Sequence, residues 1–192
     1  MKGKYLLMTG APGSRWSGVA NHIWKSKSFD HTDDATQRRY KHHNGLVHGG
    51  AYFDPMMEFE NDALQWDKPF YGEGVRLIKS HTFAYQLDYL TQYRCPIVMV
   101  IRNDYECWNW WNECGGFDIP YPSYKWYKNQ NNMFHQIQLQ NQAITTFIYN
   151  NKDRIVKCDD NLDVLGVLEL DTSAMVRDVY DKKDVSVYVY QP

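Results

Sequence analysis

Short apolar runs in this chain end repeatedly in small, charged or titratable side chains, and its chemistry is best sought there. Tyr5-Leu6-Leu7-Met8 gives way to Gly10, Pro12, Gly13, Ser14 and Arg15; Arg76-Leu77-Ile78 to Lys79-Ser80-His81; Ile97-Val98-Met99-Val100-Ile101 to Arg102-Asn103-Asp104; and Ile155-Val156-Lys157-Cys158 to Asp159-Asp160. A glycine loop between a strand and a helix start gathers backbone N–H groups and the positive helix end around one point, which suits a phosphate or sulfate. Lysine and arginine are fixed cations for such a group, and a histidine exchanges a proton near neutral pH. The nucleoside triphosphate loop, G-x-x-x-x-G-K-S/T, does not fit. Counted from Gly10, it sets Arg15 and Trp16 where glycine and lysine belong, and only Ser17 agrees. An ordinary strand-to-helix turn explains these residues as well as an anion loop does.

The elements that must carry these groups follow from periodicity. The run after Lys4 is uninterrupted and too short for a membrane span, so it reads as a central parallel strand covered on both faces. Ser17 is the expected N-cap of a helix through Val19, Ala20, His22, Ile23 and Trp24. Residues 28–70 lose regular spacing yet keep Tyr52, Phe53, Phe59 and Trp66, which predicts an ordered excursion with short helices over one sheet edge. Its histidines lack a metal-ligand spacing. In the strand that begins at Gly74, alternation puts Leu77, Lys79 and His81 on one face. Helical spacing follows through Ala84, Leu87, Tyr89 and Leu90, and 97–101 is the clearest buried strand. Helices are predicted over 106–113 and 125–150. Asp159 and Asp160 read as caps of a helical turn at 162–168, and the alternating Val185-Ser186-Val187-Tyr188-Val189-Tyr190 as a half-exposed or edge strand. Strands alternating with helices imply a three-layer α/β domain over 1–192 with a mostly parallel sheet, in which ligands bind beyond the carboxyl ends of the strands.

Bulk properties narrow the partners. A net charge of -2 argues against a nucleic-acid binder. No membrane span or signal-peptide core is evident, which predicts a cytoplasmic protein. The four cysteines form no C-x-x-C pair and read as reduced, partly buried thiols. The aromatic residues between Tyr105 and Phe134 form either core or a wall for a flat or sugar-like ligand.

In three places the sequence resembles the sulfotransferase family, which uses 3'-phosphoadenosine 5'-phosphosulfate (PAPS) as donor. Gly10-Ala11-Pro12-Gly13-Ser14-Arg15 resembles the family's 5'-phosphosulfate loop, commonly Pro-Lys/Arg-Ser-Gly-Thr-Thr. Arg76 to His81 resembles its Lys-Thr/Ser-His segment, and Val100-Ile101-Arg102-Asn103 the strand and Arg-Asn start of its 3'-phosphate site. Cys158-Asp159-Asp160-Asn161-Leu162 is a fainter echo of its Tyr-Glu-Asp-Leu. The likeness covers about half of the chain. It departs at Gly13, where the family has its basic loop residue, so that Arg15 would supply that charge. It departs again at Trp110, eight residues after Arg102, where a serine for the 3'-phosphate is usual and Asn109 stands adjacent. The Arg-Lys-Gly loop near the family's C-terminus is missing, with Lys182-Lys183 a partial substitute.

The resemblance implies a P-loop-like fold and transfer of a sulfuryl group from PAPS to a hydroxyl of a small molecule or sugar, leaving adenosine 3',5'-bisphosphate. It implies His81 as the base, Lys79 and Arg15 at the leaving group, and Pro12, Gly13, Ser14, Arg15, Trp16, Ser17, Arg102, Asn109 and Trp110 around the donor. His48, Tyr52 and Phe53 are acceptor-side candidates, as is the stretch 54–59, and His48 is the alternative base. The transferred group carries little charge, so no metal is demanded. Plainer readings stand beside these: a solvated strand end for Lys79 and His81, and an ion pair to Asp104 or Glu106 for Arg102. Rival functions are a phosphotransferase with a degenerate phosphate loop and a non-catalytic nucleotide- or anion-binding module.

Overall fold

The computed structural model describes residues 4–33, 49–53, 62–118 and 127–192. A six-stranded sheet runs in the order β2-β3-β1-β4-β6-β5, with β1 Tyr5–Gly10, β2 Ala51–Tyr52, β3 Arg76–Lys79, β4 Ile97–Arg102, β5 Ile155–Cys158 and β6 Val185–Tyr190. The first run is the central strand expected, hydrogen-bonded in parallel to β3 on one side and β4 on the other. Among the described residues the α-helices are α1 Trp16–Trp24, α2 Leu87–Leu90, α3 Asp104–Glu113, α4 Gln130–Asn150 and α5 Asn161–Val167.

Both faces of the sheet are covered. Leu6, Met8, Leu77, Val98 and Val100 pack with Val19, Ala20 and Ile23 of α1 and with Val164 and Leu165 of α5. Leu7, Ile78, Ile97 and Met99 pack on the other face with Leu87 and Leu90 of α2 and Ile144 and Phe147 of α4. Strand alternation sends neighbouring residues to opposite layers, and in α1 the buried set Trp16, Val19, Ala20 and Ile23 keeps the i, i+3, i+4, i+7 stripe. The chain leaves β1 on the α1 face toward β2, and leaves β4 on the α4 face toward the opposite edge. That reversal makes the β1 and β4 carboxyl ends the topological switch point of the sheet, the place where open α/β sheets take their ligands.

The sheet is mostly parallel as expected but mixed, because β6 runs antiparallel to both β4 and β5. Other expectations are corrected. Strand β6 is an interior strand: Val185, Val187 and Val189 fill the α1 layer while Tyr190 fills the other, so its alternation separates two apolar faces. Since β5 opposes β6 and β6 opposes β4, β5 runs with β4, and the carboxyl ends of β1, β3, β4 and β5 emerge on one rim. The 28–70 excursion contributes the edge strand β2, paired in parallel with β3, and a short turn of 3-10 helix at Ala63–Gln65. The helical spacing after His81 breaks at Gln86 into a 3-10 turn, Thr82–Tyr85, and the single turn α2. Among the described residues no helix is long and apolar enough to cross a membrane.

Candidate functional site

The loop from β1 to α1 is shaped by close approaches. Ser14 N–H donates to the Ala11 carbonyl at 3.0 Å. The sign of φ alternates along the loop, positive at Gly13 (77°) and Arg15 (65°) but not at Ser14. Alternation of this kind is the backbone pattern of anion-binding concavities, although Ser14 N–H is already spent on Ala11. A Cβ on Gly13 would lie 1.9 Å from the Cys107 carbonyl oxygen, and one on Gly10 would lie 2.7 Å from Ser14 Oγ and Trp16 Cβ. Glycine is therefore required at 13 by conformation and by space. The helix cap is not Ser17: Arg15 occupies the N-cap position and its carbonyl accepts from Gly18 N–H, while no side chain caps the first turn. A left-handed conformation costs a residue with a Cβ about 1 kcal/mol, and such strain concentrates at functional loops. Pro12 and Ser14 are buried and Gly13 and Ser17 half-buried. Among the described residues, Ser14 Oγ and Arg15 Nε are buried without a hydrogen-bond partner, although a buried polar atom normally has one.

From β3, Lys79 and His81 are 2% and 5% exposed, so they are not a solvated strand end. Lys79 lies in register with Met8 and Tyr52, and its Nζ sits 6.0 Å from the Tyr52 ring centroid. His81 Nδ1 lies 2.6 Å from the Gly10 carbonyl oxygen. A carbonyl only accepts, so Nδ1 carries the hydrogen, and in the neutral ring the lone pair is on Nε2. The ring is flanked by Trp16 at 4.5 Å and Tyr52 at 5.8 Å between centroids. Trp16 and Tyr52 thus stand with His81, while Phe53 is fully buried in the core of the opposite layer. His48 and the stretch 54–59 lie outside the described residues.

From β4, Arg102 is engaged as the plainer reading expected. Its Nη1 donates to the Glu106 carbonyl at 3.2 Å and its Nη2 approaches Glu106 Oε2 at 3.4 Å, with Nε buried and unpartnered among the described residues. Asn103 caps α3, its side chain accepting from Tyr105 and Glu106 N–H. Asn109 is exposed on α3, and Trp110 is half-buried with the Arg15 guanidinium 4.0 Å over its ring. Asp160 caps α5 by accepting from Leu162 and Asp163 N–H and pairs with Arg177. Lys183, considered for a loop role, pairs with Asp178.

Three contacts escaped the sequence: Gly10 with His81, Gly13 with Cys107, and Arg15 with Trp110. Only the last two had a signal, since Cys107 and Trp110 are three apart on a helix and share a face. Burial raises the Cys107 thiol to about 12 and the Cys158 thiol likewise, so neither supplies a thiolate. No disulfide joins the four cysteines. Among the described residues no group of three or more His, Cys, Asp or Glu is arranged to hold a metal ion. Compared with known families, curated proteins and solved structures, the chain matches none.

Proposed function

We propose that this chain binds PAPS and transfers its sulfuryl group to a hydroxyl of a small molecule or sugar, on a sulfotransferase-like variant of the P-loop fold. The observation that carries the reading is the hydrogen bond from His81 Nδ1 to the Gly10 carbonyl. It ties a base-competent tautomer to the mouth of an anion loop, and both lie at the carboxyl ends of adjacent parallel strands. The acceptor oxygen attacks sulfur and its proton passes to His81 Nε2. The bond from sulfur to the bridging oxygen breaks, and the leaving adenosine 3',5'-bisphosphate takes the electron pair, its charge met by Lys79, Arg15 and the loop N–H groups. Arg102 reads the 3'-phosphate by exchanging Glu106 for it. Cysteines free of disulfides accord with a cytoplasmic setting.

Thermal shift against adenosine 3',5'-bisphosphate, and transfer of labelled sulfate from PAPS to a panel of alcohols and sugars, test the proposal together. Stabilisation by the bisphosphate with label transfer is expected. Stabilisation by ATP with Mg²⁺ and none by the bisphosphate would replace it with a phosphotransferase, and binding without transfer with a binding module.

A further inference from the structure

The departures from the sulfotransferase pattern at Gly13, Arg15 and Trp110 meet at one place in the fold. No side chain fits at position 13, because a Cβ there would lie 1.9 Å from the Cys107 carbonyl oxygen. The loop's cation therefore has to come from elsewhere, and Arg15 stands two residues on, held at positive φ at the head of α1. Trp110 is one turn beyond Cys107 on α3, so the helix that forbids a side chain at 13 also presents an indole to Arg15, 4.0 Å from the guanidinium carbon. Stacking occupies the guanidinium face and leaves its in-plane N–H donors for an anion. Beside it, Ser14 Oγ is fully buried, lacks a partner among the described residues, and turns back toward Gly10.

We propose that Trp110 is a positioning residue for Arg15, and that the pair forms a preorganised seat for the phosphate or sulfate oxygens on the 5' side of the donor. The inference rests on the donor reading above and gives Trp110 a role on the loop side, not at the 3'-phosphate where the family's serine stands. Holding the arginine in place before binding removes part of the ordering cost of a long, mobile side chain.

A double-mutant cycle tests it, with affinities for adenosine 3',5'-bisphosphate, adenosine 3'-monophosphate and inorganic sulfate. Trp110→Leu should weaken the bisphosphate about fivefold, spare the 3'-monophosphate, and cost nothing further in an Arg15→Ala background. Trp110→Phe, which keeps a ring face, should restore most of the affinity, and Arg15→Lys, which has no planar face, should not. Should Trp110→Leu lower the unliganded melting temperature, Trp110→Met takes its place in the cycle. Equal losses with and without Arg15, or an equal loss for the 3'-monophosphate, would overturn the pairing and leave the donor reading standing. If sulfate shows the coupling while the bisphosphate does not bind, the donor reading fails and the pair stands. If the wild-type chain binds neither anion, both fall.

Discussion

His81 and Arg102 each make a contact whose chemistry sets what they can do. The Gly10 carbonyl fixes the hydrogen of His81 on Nδ1, so His81→Ala should lower sulfuryl transfer by about two to four orders of magnitude. Bisphosphate affinity should stay nearly unchanged in that variant, and unaltered turnover would remove histidine from the mechanism. Arg102 is shared with Glu106 at 3.4 Å, and an incoming phosphate competes with that carboxylate. Arg102→Ala should therefore weaken adenosine 3',5'-bisphosphate more than adenosine 5'-monophosphate, while Glu106→Gln should strengthen the bisphosphate. Titration calorimetry of both variants checks the opposite signs. If Glu106→Gln weakens binding instead, the pair is structural and the arginine does not read the 3' group.

At the scale of elements, the β1 to α1 loop and the head of α3 form one unit, because Gly13 lets their backbones touch. Gly13→Ala meets both a positive φ of 77° and a Cβ position 1.9 Å from the Cys107 carbonyl. It should cost about 2 kcal/mol or more and weaken anion binding. Gly18 is the internal control: it lies within α1, exposed, with nothing within 4 Å of an added Cβ. Gly18→Ala should stabilise the protein by about 0.5–1 kcal/mol through helix propensity alone. Denaturant unfolding of the two variants measures both; if they behave alike, the contact between loop and helix carries no energy.

Across the whole molecule, the start of β1 is tied to β3 through Asp67, which follows the Ala63–Gln65 turn. Its carboxylate accepts from Lys4, from the Tyr5 hydroxyl at 2.6 Å and from Arg76. Partial burial raises the Asp67 pKa, but these three donors outweigh it and hold the group at about 2, against an ordinary 3.8. A carboxyl depressed in the folded state contributes stability above its unfolded pKa, and loses that contribution as pH falls through the folded value. The melting temperature should therefore fall more steeply between about pH 5 and pH 2 in the wild-type chain than in Asp67→Asn. The difference should be small, because the carboxylate is 46% exposed and screened by water. Parallel melting curves over that range would show that the cluster does not couple the strands.

Much of this organisation was legible in the residues. The apolar runs that became β1, β3, β4 and β5, the cap at Asp160, and the place of Lys79 and Arg102 at the ends of β3 and β4 all follow from periodicity and capping, which act over a few residues. Choice of neighbour was not legible. That β6 lies between β4 and β5 and that Arg15 takes the left-handed cap in place of Ser17 depend on burial and hydrogen bonding between segments far apart in the chain. The same holds for His81, which owes its tautomer to a carbonyl 71 positions away. Local chemistry determined which groups reach the rim, and only tertiary packing decided which of them face one another.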